Sequence, residues 1–289
     1  MSETVLSTGE WRARRAAHES RVDSWVGGHL TRRQGGVKHP VEDFLFTYYS
    51  YRPGQLRRWH PGHGVVLAGG EPDKDYVRVP DGVTLDPALS ARRAGTVTWI
   101  RDLLAATASR PAQFGCFGLH EWAMVYRQTQ EQVRHNAWPL RLSASATAAV
   151  VEERGVRCSH FDAYRFFTEP ARPLNVLAPT RDRQADLEQP GCLHANMDLY
   201  KWAYKLSPLV PSELVADCFE LSRRVRELDM RASPYDLADL GYAPVRIETA
   251  DGRAAYAAEQ RAYAEEAAPL RHRLLSYCDA LLSETAVSA

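Results

Sequence analysis

The C-terminal third of the chain constrains the fold most, because its pattern is helical almost throughout. Apolar residues recur at helical spacing over residues 194–206 and 211–230. The run RAAYAAEQRAYAEEAAPLRHRLLSYCDALLSE, residues 253–284, is far longer than any ordinary strand. Pro269 should kink or break this helix, because proline lacks the backbone N–H of a helix interior. The pattern predicts a mainly α fold.

Further helices are predicted in the first half of the chain. Ser7 or Thr8 can cap a helix that Gly27 and Gly28 should stop, and Pro40 suits the first turn of a second helix. The remaining predicted helices are TVTWIRDLLAATASR (96–110), LHEWAMVYRQTQEQVRH (119–135) and SASATAAVVEERG (143–155).

Only two segments favour β structure. Residues 61–95 form an irregular Gly/Pro-rich excursion, in which GVVLAG and DYVRVP could pair as a hairpin. Residues 156–167, VRCSHFDAYRFF, alternate well enough to predict a strand with Cys158, His160 and Asp162 on one face. We therefore expect a single, mainly α-helical domain over residues 1–289, with a small β element.

The overall composition excludes several classes of protein. Lys plus Arg and Asp plus Glu both number 36, so no net positive charge indicates a nucleic-acid partner. No stretch is apolar for long enough to span a membrane, and the N-terminus lacks the apolar core of a secretory signal, which predicts a cytoplasmic protein. Five widely spaced cysteines indicate reduced thiols.

Three stretches share an unusual set of residue types. They are CFGLHEWAMVYR (116–127), CSHFDAYRFF (158–167) and PGCLHANMDLYKWAYKL (190–206). In each, a cysteine precedes a histidine, a carboxylate follows the histidine within four residues, and a tyrosine next to a cation comes after. We therefore predict a site built from residues 116–127, 158–167 and 188–202.

The histidines and carboxylates of these stretches could carry two kinds of chemistry. His120, His160 and His194 could bind zinc or iron, and a histidine beside a carboxylate can act as a general acid or base. The alternative is that each histidine is an ordinary hydrogen-bonded residue and each cysteine a small core residue. No zinc-protease, di-iron, phosphate-loop or esterase motif is present.

Aromatic residues next to cations could hold a flat substrate. The candidate substrate-binding residues are Trp122, Tyr126, Arg127, Tyr164, Arg165, Tyr200, Lys201 and Trp202. Residues 40–60 add further rings and arginines, which could stack an extruded base and contact phosphates. These rings could equally belong to the core, with their cations in solvent.

Five long segments make the chain resemble an actinobacterial family described as 3-methyladenine DNA glycosylases. The segments are EWRARRAAHESRVDSW, KHPVEDFLFTYYSYRPGQLRRWHPG, FGCFGLHEWAMVYR, SHFDAYRFFT and EQPGCLHANMDLYKWAYKLSP. The resemblance implies hydrolysis of the N-glycosidic bond of alkylated purines, with DNA as partner and no cofactor. It supplies no catalytic residues. Chemically, one carboxylate suffices to position a water, and Asp198, Asp162 and Glu121 are the candidates.

Three hypotheses therefore differ in what they require of the structure. A glycosylase needs the three stretches to converge beneath a basic, aromatic groove that residues 40–60 help to form. A metal-dependent enzyme acting on a small molecule needs His120, His160 and His194 to converge within ligand distance in a closed pocket. A helical interaction module would leave the stretches scattered over the surface.

Overall fold

The computed structural model describes residues 4–287, and the side chains of residues 4–284. Within residues 4–287 there are four short strands: β1 (Thr4–Leu6), β2 (Val65–Leu67), β3 (Tyr76–Val79) and β4 (Gly82–Leu85). The helices are α1 (Thr8–Gln34), α2 (Phe44–Tyr48), α3 (Pro53–Arg57), α4 (Ala88–Ala108), α5 (Leu119–Ala123), α6 (Ala144–Arg154), α7 (Phe161–Tyr164), α8 (Gln184–Leu187), α9 (Leu193–Leu206), α10 (Ser212–Arg231) and α11 (Ala250–Val287). Short 3₁₀ helices cover Glu169–Leu174 and Ala238–Leu240.

The balance of elements confirms the predicted fold class. Helices account for 57% of the residues and strands for 6%, so the protein is mainly α with a minor β element. The chain divides into two compact units. Unit 1 comprises Met1–Leu104, Asp198–Glu220 and Pro269–Ala289, and unit 2 comprises Ala105–Met197 and Leu221–Ala268. Within the described residues, no helix combines the length and the apolar character needed to cross a membrane.

Unit 1 contains the sheet, whose strand order is β1-β2-β4-β3. Strand β1 runs parallel to β2, and β4 is antiparallel to both β2 and β3. The predicted pairing of GVVLAG with DYVRVP is therefore wrong, because β4 lies between β2 and β3. Gly82 starts β4 with φ +148°, and a Cβ at this position would lie 2.2 Å from the Leu67 carbonyl oxygen. Only glycine permits that close approach.

Helix α1 passes through the two glycines that were expected to stop it. Its start is as predicted, because Ser7 and Glu10 cap the first turn reciprocally. It then continues beyond Gly27 and Gly28 to Gln34. A glycine inside a helix costs only about 1 kcal/mol relative to alanine. Burial of Val26 and His29, the residues directly before and after the two glycines, offsets that loss.

In unit 2, two sequence predictions of regular structure are wrong. Residues 119–135 are helical only over α5, and the chain turns away with Arg127 at φ +56°. Residues 156–167 do not form a strand. The buried alternation of Val156, Cys158 and His160 is real, but the Asn175 side chain, not a neighbouring strand, bonds the backbone N–H and C=O of Cys158. The chain then enters the short helix α7.

The later helices follow the predicted pattern closely. Helix α6 ends at Gly155, α9 and α10 fall within a residue or two of the predicted ranges, and α11 extends from Ala250 to Val287 with Pro269 inside it. These elements supply two of the three residues of the candidate site.

Candidate functional site

Three short segments of unit 2 bring two imidazoles and one carboxylate together. His120 lies in α5, His194 is the second residue of α9, and Asp229 lies in the last turn of α10. Helix α5 follows two residues with positive φ, Phe117 at 46° and Gly118 at 70°. This sharp turn starts α5 immediately before His120.

The three side chains lie within reach of one metal ion. Their potential ligand atoms are all within 4.8 Å of one another. His120 Nε2 is 2.7 Å from Asp229 Oδ1, and the rings of His120 and His194 are 4.4 Å apart at 83°. Two histidines and one carboxylate form a common ligand set for catalytic zinc and for non-haem iron. We call His120, His194 and Asp229 the HHD cluster.

A buried guanidinium orients the carboxylate of this cluster. Arg226 Nη1 donates to Asp229 Oδ2 at 2.8 Å and to Glu121 Oε1 at 3.0 Å. Arg226 is 2% exposed, and Asp229 is 1% exposed. Because Oδ2 accepts from Arg226, Oδ1 is directed toward His120. Hydrogen bonds of this kind fix the orientation of a metal-binding carboxylate.

The electrostatics of the cluster favour a charged carboxylate. Burial alone would raise the pKa of Asp229, but His120, His194 and Arg226 lower that pKa to well below its usual range. Burial alone would lower the pKa of His120, but Asp229 and Glu121 raise it above the ordinary value. Burial and the charge of Asp229 raise the pKa of Glu121. Asp229 is therefore the anionic ligand candidate.

The two histidines face a cavity of about 360 Å³ in unit 2. All three predicted stretches contribute to its wall. The lining residues are Arg110, Pro111, Gln113, Gly115, Cys116, His120, Arg157, Cys158, Ser159, Val176, Leu177, Leu187, Gln189, Cys192, Leu193, His194 and Tyr256. The volume is within the range of small-molecule sites.

One wall of the cavity is held by hydrogen bonds between the Gln189 side chain and the backbone. Gln189 Oε1 accepts from the backbone N–H groups of Gln113 and Gly191, and Gln189 Nε2 donates to the Gln113 carbonyl. A Cβ at Gly191 would lie 2.6 Å from the Gln113 oxygen. The glycine that precedes Cys192 and His194 is therefore required for this wall to close.

Three cysteine thiols line the same cavity but are poor nucleophiles. Burial raises the pKa of Cys158 to about 12 and also raises the pKa values of Cys116 and Cys192. A thiol with a raised pKa stays protonated at neutral pH, whereas nucleophilic cysteines need a depressed pKa. The thiols therefore do not indicate cysteine catalysis.

The third predicted ligand, His160, lies beside the HHD cluster and is not one of its members. Its ring stacks on that of His194 with centroids 5.3 Å apart, and its Nε2 is 3.3 Å from Glu188 Oε1. His160 is 1% exposed. It supports one face of His194.

Each candidate catalytic carboxylate is already engaged by a neighbouring side chain. Asp198 belongs to unit 1, where it accepts from the Tyr49 hydroxyl at 2.6 Å and contacts Lys201 Nζ at 3.2 Å. Asp162 accepts from Arg181 at 2.9 Å, and Glu121 is held by Arg226. None of the three lines the cavity.

The candidate substrate-binding residues in unit 2 lie outside the cavity lining. Trp122 is fully buried and donates its indole N–H to the Ala232 carbonyl at 2.9 Å. Tyr126 and Arg127 both contact Glu152. The other two pack on neighbouring rings, Tyr164 on Phe167 and Arg165 on Phe166.

The remaining candidates of this group form part of the aromatic core of unit 1. Tyr200 is 0% exposed and packs on Tyr49 and Phe219. Trp202 packs against Trp99 with centroids 5.1 Å apart, and Lys201 Nζ lies 4.6 Å from the Trp202 ring.

Asp229 and Arg226, which complete the site, were not predicted from the sequence. Both occur in the amphipathic run SELVADCFELSRRVRELDMR, where charged residues are usually assigned to the solvent face. A detectable signal was present. Arg226 and Asp229 lie on the same helical stripe as Ser222 and Val225, and Val225 is a core residue, so this face of the helix is buried.

Comparison with known proteins adds no identification. No protein-family model, curated protein or solved structure matches the chain.

Proposed function

We propose that the protein is a metal-dependent enzyme that acts on a small molecule. His120, His194 and Asp229 would hold a zinc or iron ion. The observation that carries this proposal is the convergence of two histidines and one charged carboxylate, from three separate elements, at a cavity of about 360 Å³.

The ligand set supports catalysis more than a structural role. Structural zinc sites are closed by four protein ligands, whereas catalytic sites have three and leave a position for water or substrate. The HHD cluster offers three ligands, and both of its histidines reach the cavity. A metal there would polarise a substrate carbonyl or lower the pKa of a bound water.

The surrounding residues support the same conclusion. Arg226 donates a hydrogen bond to Asp229 Oδ2, and the His160 ring packs on His194. Asp229 and His194 are therefore held in position before any ion binds. The cavity wall contributes Ser159, whose partly exposed hydroxyl group can bind a substrate.

DNA glycosylase activity remains a prediction from the family resemblance. The aromatic and basic segment 40–60 contributes no residue to the lining of this cavity. The HHD cluster has no role in simple carboxylate-assisted hydrolysis, so the metal-dependent proposal accounts for more of the site.

The test is elemental analysis of untagged protein purified without chelators. We expect near-stoichiometric zinc or iron in the wild type and a loss of at least about tenfold in His194→Ala and Asp229→Asn. His29→Ala is a matched control. His29 is also buried and bonds a carboxylate, Asp43, that an arginine, Arg32, contacts, but it belongs to no group of three metal-ligating residues in the described part of the chain.

The control separates a metal site from general instability. Wild-type metal content in His29→Ala, together with its loss in the other two variants, supports the proposal. A wild-type protein that stays metal-free after incubation with zinc and with ferrous iron would contradict it.

A further inference from the structure

The ionisable side chains that line the cavity in unit 2 include basic residues but no acidic ones. Its lining contains two arginines, Arg110 and Arg157, and two histidines, but no aspartate or glutamate. In the whole sequence, basic and acidic residues are equal in number. A small cavity lined by one sign of charge concentrates ligands of the opposite sign.

Arg110 is held in place without a carboxylate partner. Its Nη1 donates to the backbone carbonyls of Ala106 and Glu188, each at 3.0 Å. The Glu188 side chain contacts Gln184 and His160 instead. A guanidinium has five N–H donors, and the described residues use only the Nη1 group of Arg110. The remaining donors can bind an oxyanion.

Arg157 is an exposed cation at the same cavity. No carboxylate in the described residues forms an ion pair with it, although most arginines of this protein have one. Its neighbour Cys158 is buried, so the backbone at this position is anchored while the guanidinium reaches solvent. The Arg157 guanidinium is therefore accessible to an anion that binds in the cavity.

Part of the lining is apolar and exposed. Val176 and Leu177 are 70% and 36% exposed, and Pro111 and Leu187 extend this surface. Exposed apolar residues grouped at a cavity indicate a ligand that covers them. The lining thus combines guanidinium groups with an apolar wall.

We infer that the substrate is a small organic anion whose carboxylate or phosphate group binds Arg110 and Arg157 while its apolar body covers Val176 and Leu177. This inference rests on the proposed function, since it names the substrate class of the same site. Guanidinium groups pair well with carboxylate and phosphate, and such charge-assisted hydrogen bonds are roughly twice as strong as neutral ones.

The test compares ligands that share a body and differ in charge. Hydrocinnamate, its neutral amide and phenethyl phosphate are titrated into the full chain by calorimetry. We expect at least one of the two anions to bind about tenfold or more tightly than the amide, as the loss of a charged hydrogen bond predicts. The tighter anion identifies the head group. Equal binding of all three would overturn the inference.

Substitutions then locate the anion. Arg157→Gln should reduce the preference for the anion to less than about threefold. Arg110→Gln should do the same, but Arg110 also joins two carbonyls, so the exposed Arg157 gives the cleaner variant. Arg154→Gln is the matched control, because Arg154 is exposed, close in sequence and absent from the cavity lining. A preference that survives Arg157→Gln and Arg110→Gln would refute the assignment.

Asp229→Asn protein separates this inference from the proposed metal site. Anion preference that persists in this variant supports recognition by the arginines, whatever the metal content. Preference that occurs in metal-loaded wild type and disappears in Asp229→Asn means that the metal holds the anion. That result would overturn the inference and leave the proposed function intact.

Discussion

The carboxylate of the HHD cluster is held by an arginine, and both charged groups are almost completely buried. Arg226 contacts two carboxylates, Asp229 and Glu121, and all three residues are at least nine-tenths buried. A buried ion pair is expensive to form, because each charge loses its hydration. Removing one partner is worse, since the remaining charge has neither water nor a counter-ion.

Arg226→Met should therefore be strongly destabilising. We expect a loss of about 3–5 kcal/mol in the free energy of unfolding, because two buried carboxylates lose their common cation. Arg224→Met is the control: it lies in the same helix and pairs with Glu266, but both side chains are 46% exposed. Exposed pairs contribute about 0–1 kcal/mol. Urea unfolding measures both, and equal losses would contradict the argument.

His60 gives unit 1 a pH-dependent stability. Burial, followed by the charge of Arg58, lowers the pKa of His60 to about 4, from the ordinary 6.5. Between these values the unfolded chain binds a proton at His60 that the folded protein does not. The free energy of unfolding therefore falls as the pH decreases from about 6.5 to about 4, by up to about 1.4 kcal/mol per pH unit.

The effect of His60 is measured by substitution. When the pH is lowered from about 7 to about 5, the free energy of unfolding should fall less in His60→Gln than in the wild type. The difference should be up to about 2 kcal/mol. The exposed His272, changed to Gln, is the control for removing an imidazole. An unchanged pH dependence in His60→Gln would show that His60 is not the titrating group.

Among the elements, α1 contains an avoidable weakness. Gly27 lies inside the helix, and a Cβ there would meet nothing within 4 Å. Gly27→Ala should raise the free energy of unfolding by about 0.5–1 kcal/mol, because alanine restricts the unfolded chain and favours helix. A Cβ at Gly28 would lie 3.1 Å from Arg32 Nη1, so Gly28→Ala should gain less. A loss of stability in Gly27→Ala, seen in thermal or urea unfolding, would contradict this.

The elements also show how far the sequence could predict the fold. Helices α6, α9, α10 and α11 have long periodic patterns, and these were located within a few residues. One of the wrong predictions, the strand over residues 156–167, arose because a side chain replaced a regular backbone partner. Asn175 bonds the backbone of Cys158 as a strand neighbour would, so the alternation of buried residues arose without a strand.

The site could be predicted only in part, for a related reason. The Cys and His positions of the three stretches identified His120 and His194, because those residue types recur together. Asp229 could not be identified in this way, since an aspartate in an amphipathic helix has the same pattern whether it faces solvent or a buried histidine. Its role depends on the position of α5, which is far from α10 in sequence.

At the scale of the whole molecule, the distribution of basic residues bears on the DNA binding that the family resemblance implies. Residues 1–60 hold ten basic against six acidic residues, which alone would suit phosphate binding. Most of the arginines there are already neutralised within unit 1. The pairs are Arg14–Glu213, Arg15–Glu19, Arg21–Asp217, Arg32–Asp43, Arg57–Asp23 and Arg58–Asp73. Within the described residues, this leaves four of the ten cations to displace counter-ions from DNA.

Binding to DNA should consequently be weak. We expect a dissociation constant no tighter than about 10⁻⁶ M for a methylated duplex at physiological salt, measured by fluorescence anisotropy, with a shallow dependence on salt. We also expect no release of free base from alkylated DNA. Base release that is lost in Asp198→Asn and retained in His194→Ala would instead favour the glycosylase, because that chemistry needs a carboxylate and no metal. Release lost equally in both variants, with both still folded, would contradict each assignment of the catalytic group.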